Sequence, residues 1–324
     1  MEKFGRSLAV SDDVLAVGAT GSTADDGGQG FVFGRDETGW QQRAVLVPDS
    51  ETNYAGHSIA LGGEICLLGS YNNGAFVFRN ADGQWGQEAA FLTEYDRNDW
   101  PGMAVEVAEA GSTVLVGIPA GGDANSGLVD VFTHGANGWA RSTELEGDSR
   151  VSEFGMRIAA SGQTLAISDG SGGVEFFRVS QGQVSSEARI VVDDETVANE
   201  PLVDVSGDRA VVSPLDVNRS YVYRRSGGEW TREAELTPPD GDVELLGRAV
   251  AIESSTAVLT TPRAAFRSDL AGYVLSGANG WSVSRRLRSP DVGPRARFGS
   301  AVALTPGGET AFVSSHGEGA VYQY

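Results

Sequence analysis

Apolar and polar residues alternate in short runs along this chain, and the runs return in a fixed order. The run Ser7-Leu8-Ala9-Val10 is followed by the polar turn Ser11-Asp12-Asp13 and a second run, Val14 to Val17. Alternation over four to eight residues marks a strand with one buried face, and Ser, Asp and Gly between two such runs mark a tight turn. A variable loop leads to a third run with aromatic alternation, Gly30-Phe31-Val32-Phe33. A Gly39-Trp40 turn then opens a more polar fourth run, Gln41 to Val47. Polar side chains suit an outer strand that must resist pairing with another molecule. The same four-run order recurs in Ile65 to Gly69 with Ala75 to Phe78, in Val114 to Gly117 with Val129 to Phe132, and in Leu165 to Ser168 with Val174 to Phe177. It recurs again in Ala210 to Ser213 with Tyr221 to Tyr223, and the second runs Ala257 to Thr260 and Thr310 to Ser314 complete the series. No segment keeps a helical period.

Each unit opens at a corner. The segments Phe4-Gly5-Arg6-Ser7-Leu8, Phe154-Gly155-Met156-Arg157-Ile158 and Phe298-Gly299-Ser300-Ala301-Val302 are versions of one motif, with degenerate copies at Gly56, Gly102 and Gly247. A seventh copy, Glu200 to Val205, lacks the Phe-Gly pair but keeps the strand. Self-similarity at a fixed period of this length predicts a repeat architecture. Seven units of four antiparallel strands, the last lacking its fourth, predict an all-β chain, a seven-bladed β-propeller forming a single domain over 1–324, with blades starting near 4, 55, 101, 154, 199, 246 and 298. A β-sandwich also has short strands at regular spacing. It has no need of the same corner, turn and Trp in register every fifty residues or so. The last unit stops at its third strand, Gly319 to Tyr324, and only three residues precede Phe4. Either blade seven has three strands or the chain is N-terminally truncated, with its missing strand and a secretion signal upstream; an open ring leaves a bare sheet edge, so truncation is the expectation.

At these corners the chain resembles the FG-GAP repeat family, known from the seven-bladed head of integrin α subunits. Phe4-Gly5 with Gly18-Ala19, Gly102 with Gly117-Ile118-Pro119, Phe154-Gly155 and Phe298-Gly299 carry the likeness. The resemblance implies a secreted or cell-surface protein that binds its partner through the loop-rich face. It also implies calcium in the hairpin between the first two strands. The hairpins here, such as Ser11-Asp12-Asp13, Gly62-Gly63-Glu64 and Ser206-Gly207-Asp208, are too brief to supply the six to eight oxygens calcium takes. Calcium is therefore not carried over, and no other cofactor is expected.

The formal net charge of −20 narrows the partners. Phosphate backbones need clustered cations, so nucleic acid is excluded as a partner. Cys66 is the only cysteine, in the apolar run Ile65-Cys66-Leu67-Leu68, and reads as a buried small hydrophobe. No apolar run approaches the eighteen or so residues of a membrane span, and Met1 to Gly5 carries no signal segment.

Candidate chemistry is sparse. His57, His134 and His316 fall in different units without metal-ligand spacing and read as surface or turn residues. No Gly-x-Ser-x-Gly elbow joins a strand to a helix, and the glycine-rich Gly27 to Gly30 opens no helix. In an up-and-down blade the second-to-third loop and the blade-to-blade connection emerge on one face, where the long segments gather. Long loops on a rigid scaffold carry binding, and aromatic and Arg side chains anchor interfaces. The candidate ligand-binding residues are accordingly Tyr71, Tyr95, Arg97, Trp100, Asp123, Asn125, Arg263, Phe266 and Arg267. For Trp100 a second role is open, standing in for the corner Phe and packing between blades.

Three functions are consistent with this sequence. The first is a non-catalytic, monomeric binding or adhesion module for a protein or carbohydrate ligand. The second is a hydrolase or lyase acting on a sugar polymer through loop carboxylates. The third is a structural or assembly domain of a longer protein.

Overall fold

A computed structural model describes residues 3–21, 27–50, 52, 54–92, 95–148, 152–192, 200–215, 217–237, 248–261, 270–288 and 297–324. Seven antiparallel sheets follow one another along the chain, each with its strands in simple sequential order. Six have four strands and the last has three, Phe298–Leu304, Ala311–Ser315 and Ala320–Gln323. This is the seven-bladed propeller read from the corners.

The inner strands are Lys3–Val10, Ala55–Gly62, Val105–Ala108, Arg157–Ser161, Leu202–Ser206, Val250–Glu253 and Phe298–Leu304. They neighbour one another in ring order and surround a central channel. The second strands are buried almost throughout, as in Val14–Thr20 and Ile65–Ser70. The outer strands alternate between exposed and half-buried, as in Gln84–Leu92.

The core is divided into seven apolar clusters, each lying between two adjacent blades. Blades 4 and 5, for example, share Phe176 stacked on Trp230 with ring centroids 4.0 Å apart. The cluster between blades 7 and 1 closes the ring, with Phe312 edge-on to Trp40 at 5.2 Å.

The corner glycine and the glycine of the second strand have one shared physical reason. Corner glycines Gly5, Gly56, Gly102, Gly155 and Gly299 all have φ between 79° and 91°, a region costly for other residues. A Cβ on second-strand Gly18 would lie 2.2 Å from the carbonyl oxygen of Gly56, and one on Gly117 would lie 2.2 Å from that of Gly155. The corners at Gly56, Gly102 and Gly155 thus rest directly on the second strand of the blade before. Hydroxyls fasten the same contact: Ser7 Oγ donates to Gly56 O at 2.9 Å, Ser58 Oγ to Gly102 O at 3.1 Å and Thr260 Oγ1 to Gly299 O at 2.8 Å.

Candidate functional site

The tight turns between inner and second strands define one face of the ring, and the loops that follow the second strands define the other. Tyr71 directly follows the second strand Ile65–Ser70, so it sits on the loop face. Its ring lies 6.5 Å from that of Trp100 and 6.2 Å from that of Tyr54. Its third neighbour is His57, with ring centroids 5.4 Å apart. Tyr54, Tyr71 and Trp100 form a half-buried aromatic shelf across blades 2 and 3, and His57 joins it to the channel mouth.

Trp100 does not take the place of the corner Phe. Pro101 does, and Trp100 is the residue before it. That position has a shared geometry around the ring: Tyr54, Trp100, Glu153 and Arg297 all have φ between 54° and 64°. Non-glycine residues seldom hold such a conformation, which costs roughly 1–3 kcal/mol. Its carbonyl then accepts from the amide three residues on, as in His57 N to Tyr54 O at 3.1 Å, Met103 N to Trp100 O at 3.2 Å and Met156 N to Glu153 O at 3.2 Å. A repeated left-handed turn thereby sets a row of large side chains at the rim.

The other candidate residues are dispersed. Tyr95, in the connection between blades 2 and 3, turns to the outer strand of blade 3, Gly138–Glu146, where its hydroxyl donates to Glu144 Oε2 at 2.5 Å and accepts from Arg141 Nη2 at 3.0 Å. Arg141 also pairs with Asp130 at 2.5 Å. Burial raises the Asp130 carboxyl to about 6 even though Arg141 opposes the shift. Asp123 and Asn125 are exposed in a 3-10 turn, and Asn125 O accepts from Glu153 N at 3.1 Å. Arg97 opens the 3-10 turn Arg97–Asp99. Arg263, Phe266 and Arg267 lie outside the described residues.

The channel itself holds charged groups that loop length does not point to. A cavity of about 290 Å³ at the loop-face end is lined by Arg6, His57, Arg157 and Arg248 among others. Arg6 Nη2 donates to His57 Nε2 at 2.7 Å, and Arg297 Nη1 to His316 Nε2 at 3.1 Å. His57 is half-buried on the inner strand Ala55–Gly62, which corrects its reading as a surface or turn residue, and His316 lies in a turn as expected but is buried there. Desolvation, with Arg6 and Arg157 adding to it, holds His57 down at about 3. Desolvation together with Arg297, Arg6 and Arg248 holds His316 at about 4. Both are neutral acceptors at pH 7. A sequence signal for this cluster existed, because Arg6, His57 and Arg248 each directly follow a corner glycine.

Deeper in the channel a second cavity of about 280 Å³ contains Glu106 and Asp204, on the inner strands of blades 3 and 5. Asp204 accepts from Ile252 N at 2.8 Å and Val205 N at 2.9 Å, and Glu106 from Val107 N at 2.9 Å. Desolvation raises Glu106 to about 8, with Asp204 adding to the shift, and raises Asp204 to about 6. On the loop face Glu153 and Glu200 are in hydrogen-bonding contact, and burial followed by the nearby Glu200 charge raises the Glu153 pKa. Among the described residues no group of three or more His, Cys, Asp or Glu is placed to hold a metal ion. No helix among them is long and apolar enough to cross a membrane.

Comparison with known proteins gives likeness in fold alone. No family model matches the chain, and no curated protein matches it in sequence. Among solved structures it is similar to a chain of the hydrazine synthase of Kuenenia stuttgartiensis, with a TM-score of 0.67, 14% identity, and coverage of 99% of this chain and 95% of that one. It is also similar to a chain in a crystal structure of a mitotic checkpoint complex, with a TM-score of 0.63, 14% identity, and coverage of 95% and 83%. At such identities the shared property is the architecture, and this chain is a seven-bladed β-propeller.

Proposed function

We propose that this protein is a monomeric, non-catalytic binding module of the FG-GAP kind, acting outside the cell and holding a protein or glycan against its loop-rich face. The observation that carries this reading is the shelf of Tyr54, Tyr71 and Trp100, set beside the channel mouth by strained left-handed turns. Half-buried aromatic rings bring large contact area at low cost in side-chain entropy, and they anchor protein interfaces. Propellers commonly serve as binding scaffolds, and one of the similar structures belongs to an assembly. The carboxylates do not favour hydrolysis of a sugar polymer. Glu153 and Glu200 touch, whereas the paired carboxyls of glycosidases stand about 5–9.5 Å apart. Glu106 and Asp204 lie on strands within the channel and not on the loops.

The test is a screen of the labelled protein against arrays of glycans and of extracellular protein domains, followed by titration of each hit. Tyr71→Ala and Trp100→Ala are each expected to weaken a genuine hit at least tenfold. Arg43→Ala, which breaks an exposed ion pair with Asp36 on the opposite face, is expected to leave it unchanged. Hits indifferent to the shelf but lost with Arg43 would place binding on the other face and defeat the reading.

A further inference from the structure

Positive charge is scarce in this chain, with 24 Lys and Arg against 44 Asp and Glu. Yet four arginines from four blades converge at one end of the channel: Arg6, Arg157, Arg248 and Arg297. Burial lowers the Arg6 pKa first, and the charges of Arg157, Arg248 and Arg297 lower it further. Arg157 is lowered by burial and by Arg248, while Glu200 acts the other way. Glu200 in turn is in hydrogen-bonding contact with Glu153, whose pKa is raised by burial and by the nearby Glu200 charge. Among the described residues no carboxylate forms a salt bridge with Arg6, Arg248 or Arg297.

The histidines beside them do not change this balance. His57 and His316 are neutral acceptors that fix the direction of the Arg6 and Arg297 guanidiniums and leave their charge uncompensated. His316 is 7% exposed, and its Nδ1 is buried without a hydrogen-bond partner among the described residues. The fold itself does not require cations here. Met103 of blade 3 and Leu202 of blade 5 line the same cavity on either side of the inner strand of blade 4, which carries Arg157. A scaffold that accepts apolar residues at this level, and yet gathers like charges at it, has a built site for the opposite charge.

We propose that the loop-face mouth of the channel binds a tetrahedral oxyanion, phosphate or sulfate, either free or as the ester of a small sugar. Guanidinium forks match such oxygens bidentately, and they hold them better than point charges do. Several guanidiniums facing one cavity call for an anion carrying two charges. The cavity of about 290 Å³ leaves room for an organic body beside the anionic group. The Glu106 and Asp204 carboxyls lie further down the channel, apart from the arginines. The site stands on the arginines alone and does not depend on the aromatic shelf.

Thermal unfolding and calorimetric titration of the full chain, at ionic strength held constant with sodium chloride, test the proposal. The probes are inorganic phosphate, sulfate and glucose 6-phosphate, with glucose as the uncharged control. Phosphate or sulfate at millimolar concentration is expected to raise Tm by several degrees over chloride, and glucose is expected to do nothing. The Arg6→Gln/Arg248→Gln double variant is expected to bind the anion at least tenfold more weakly, and without anion to melt no lower than wild type because repulsion is relieved. A sugar ester binding tenfold tighter than inorganic phosphate identifies an organic ligand, and equal affinities identify the free ion. Tyr71→Ala and Trp100→Ala are expected to keep the full phosphate response, which separates this site from the shelf. No stabilisation of wild type beyond chloride would overturn the proposal, as would a double variant that responds like wild type or one that melts lower without anion.

Discussion

At the scale of single residues, the glycines separate two physical demands that look alike in sequence. Gly18 sits where the next blade's corner presses in, so a Cβ there would meet Gly56 O and Ser7 Oγ, both at 2.2 Å. Gly207, in a tight turn on the other face, has φ of 58° and nothing within 4 Å of a built Cβ. Gly18→Ala is expected to cost about 2–3 kcal/mol, because backbone must move to relieve the overlap. Gly207→Ala is expected to cost only about 1 kcal/mol, the ordinary penalty of a left-handed alanine. Urea unfolding of both variants checks the order. Equal losses would show that the blade-to-blade contact yields more readily than its distances imply.

At the scale of strands and blades, alternation located the elements because a strand with one buried face leaves a period of two in the chain. The second strand was legible at Val14 to Val17 and runs on to Thr20 in the structure, while the fourth, read as Gln41 to Val47, spans Gly39–Leu46. What alternation could not reveal is how strands shift against each other. In blades 1 to 6 the pairing of third and outer strands breaks at one recurring place, between Val32 and Phe33, Val77 and Phe78, Val131 and Phe132, Phe176 and Phe177, Val222 and Tyr223, and Val274 and Leu275. Such bulges increase local twist and have no residue signature of their own. The place of Arg6 and Arg248 after a corner glycine was legible, but their convergence was not: Arg6, Arg157 and Arg248 are far apart in sequence, and only the ring closure brings them to one cavity. Closure also sets an expectation for stability. Phe312 is 2% exposed in the cluster that joins blade 7 to blade 1. Phe312→Ala is expected to cost about 3–5 kcal/mol, and hydrogen exchange is expected to speed up selectively in blades 7 and 1, since each blade of a repeat protein leans mainly on its neighbours. Phe176→Ala, at the interface of blades 4 and 5, is expected to cost as much without loosening the joint between blades 7 and 1. Uniform exchange in both variants would mean that the ring opens as one unit.

Taken over the whole molecule, the channel is polarised, with arginines and neutral histidines at the loop-face end and protonatable carboxyls below. This arrangement gives stability two opposing dependences on pH. His57 and His316 have folded pKa values of about 3 and about 4, below the ordinary histidine value. Their contribution is therefore complete above about pH 6.5 and is lost as pH falls, because the unfolded chain takes up protons that the folded one refuses. Glu106 and Asp204, at about 8 and about 6, work in the other sense. The folded chain holds those protons more tightly, so their contribution is present at low pH and disappears as pH rises through the folded values. The two limbs overlap and place the maximum of stability near pH 5–6.5. Glu106 is half-buried and shares its cavity with channel water, which screens the effect, so its share is on the order of 1–2 kcal/mol. Glu106→Gln, which cannot ionise, is expected to be more stable than wild type at pH 8.5 by that amount and close to it at pH 5. His316→Gln is expected to flatten the acid limb by a similar amount between pH 6.5 and pH 5. Urea unfolding at pH 5, 6.5 and 8.5 reads both. A Glu106→Gln variant whose gain is the same at pH 5 and pH 8.5 would mean that Glu106 is already ionised across that range, and that the carboxyl floor of the channel carries its charge.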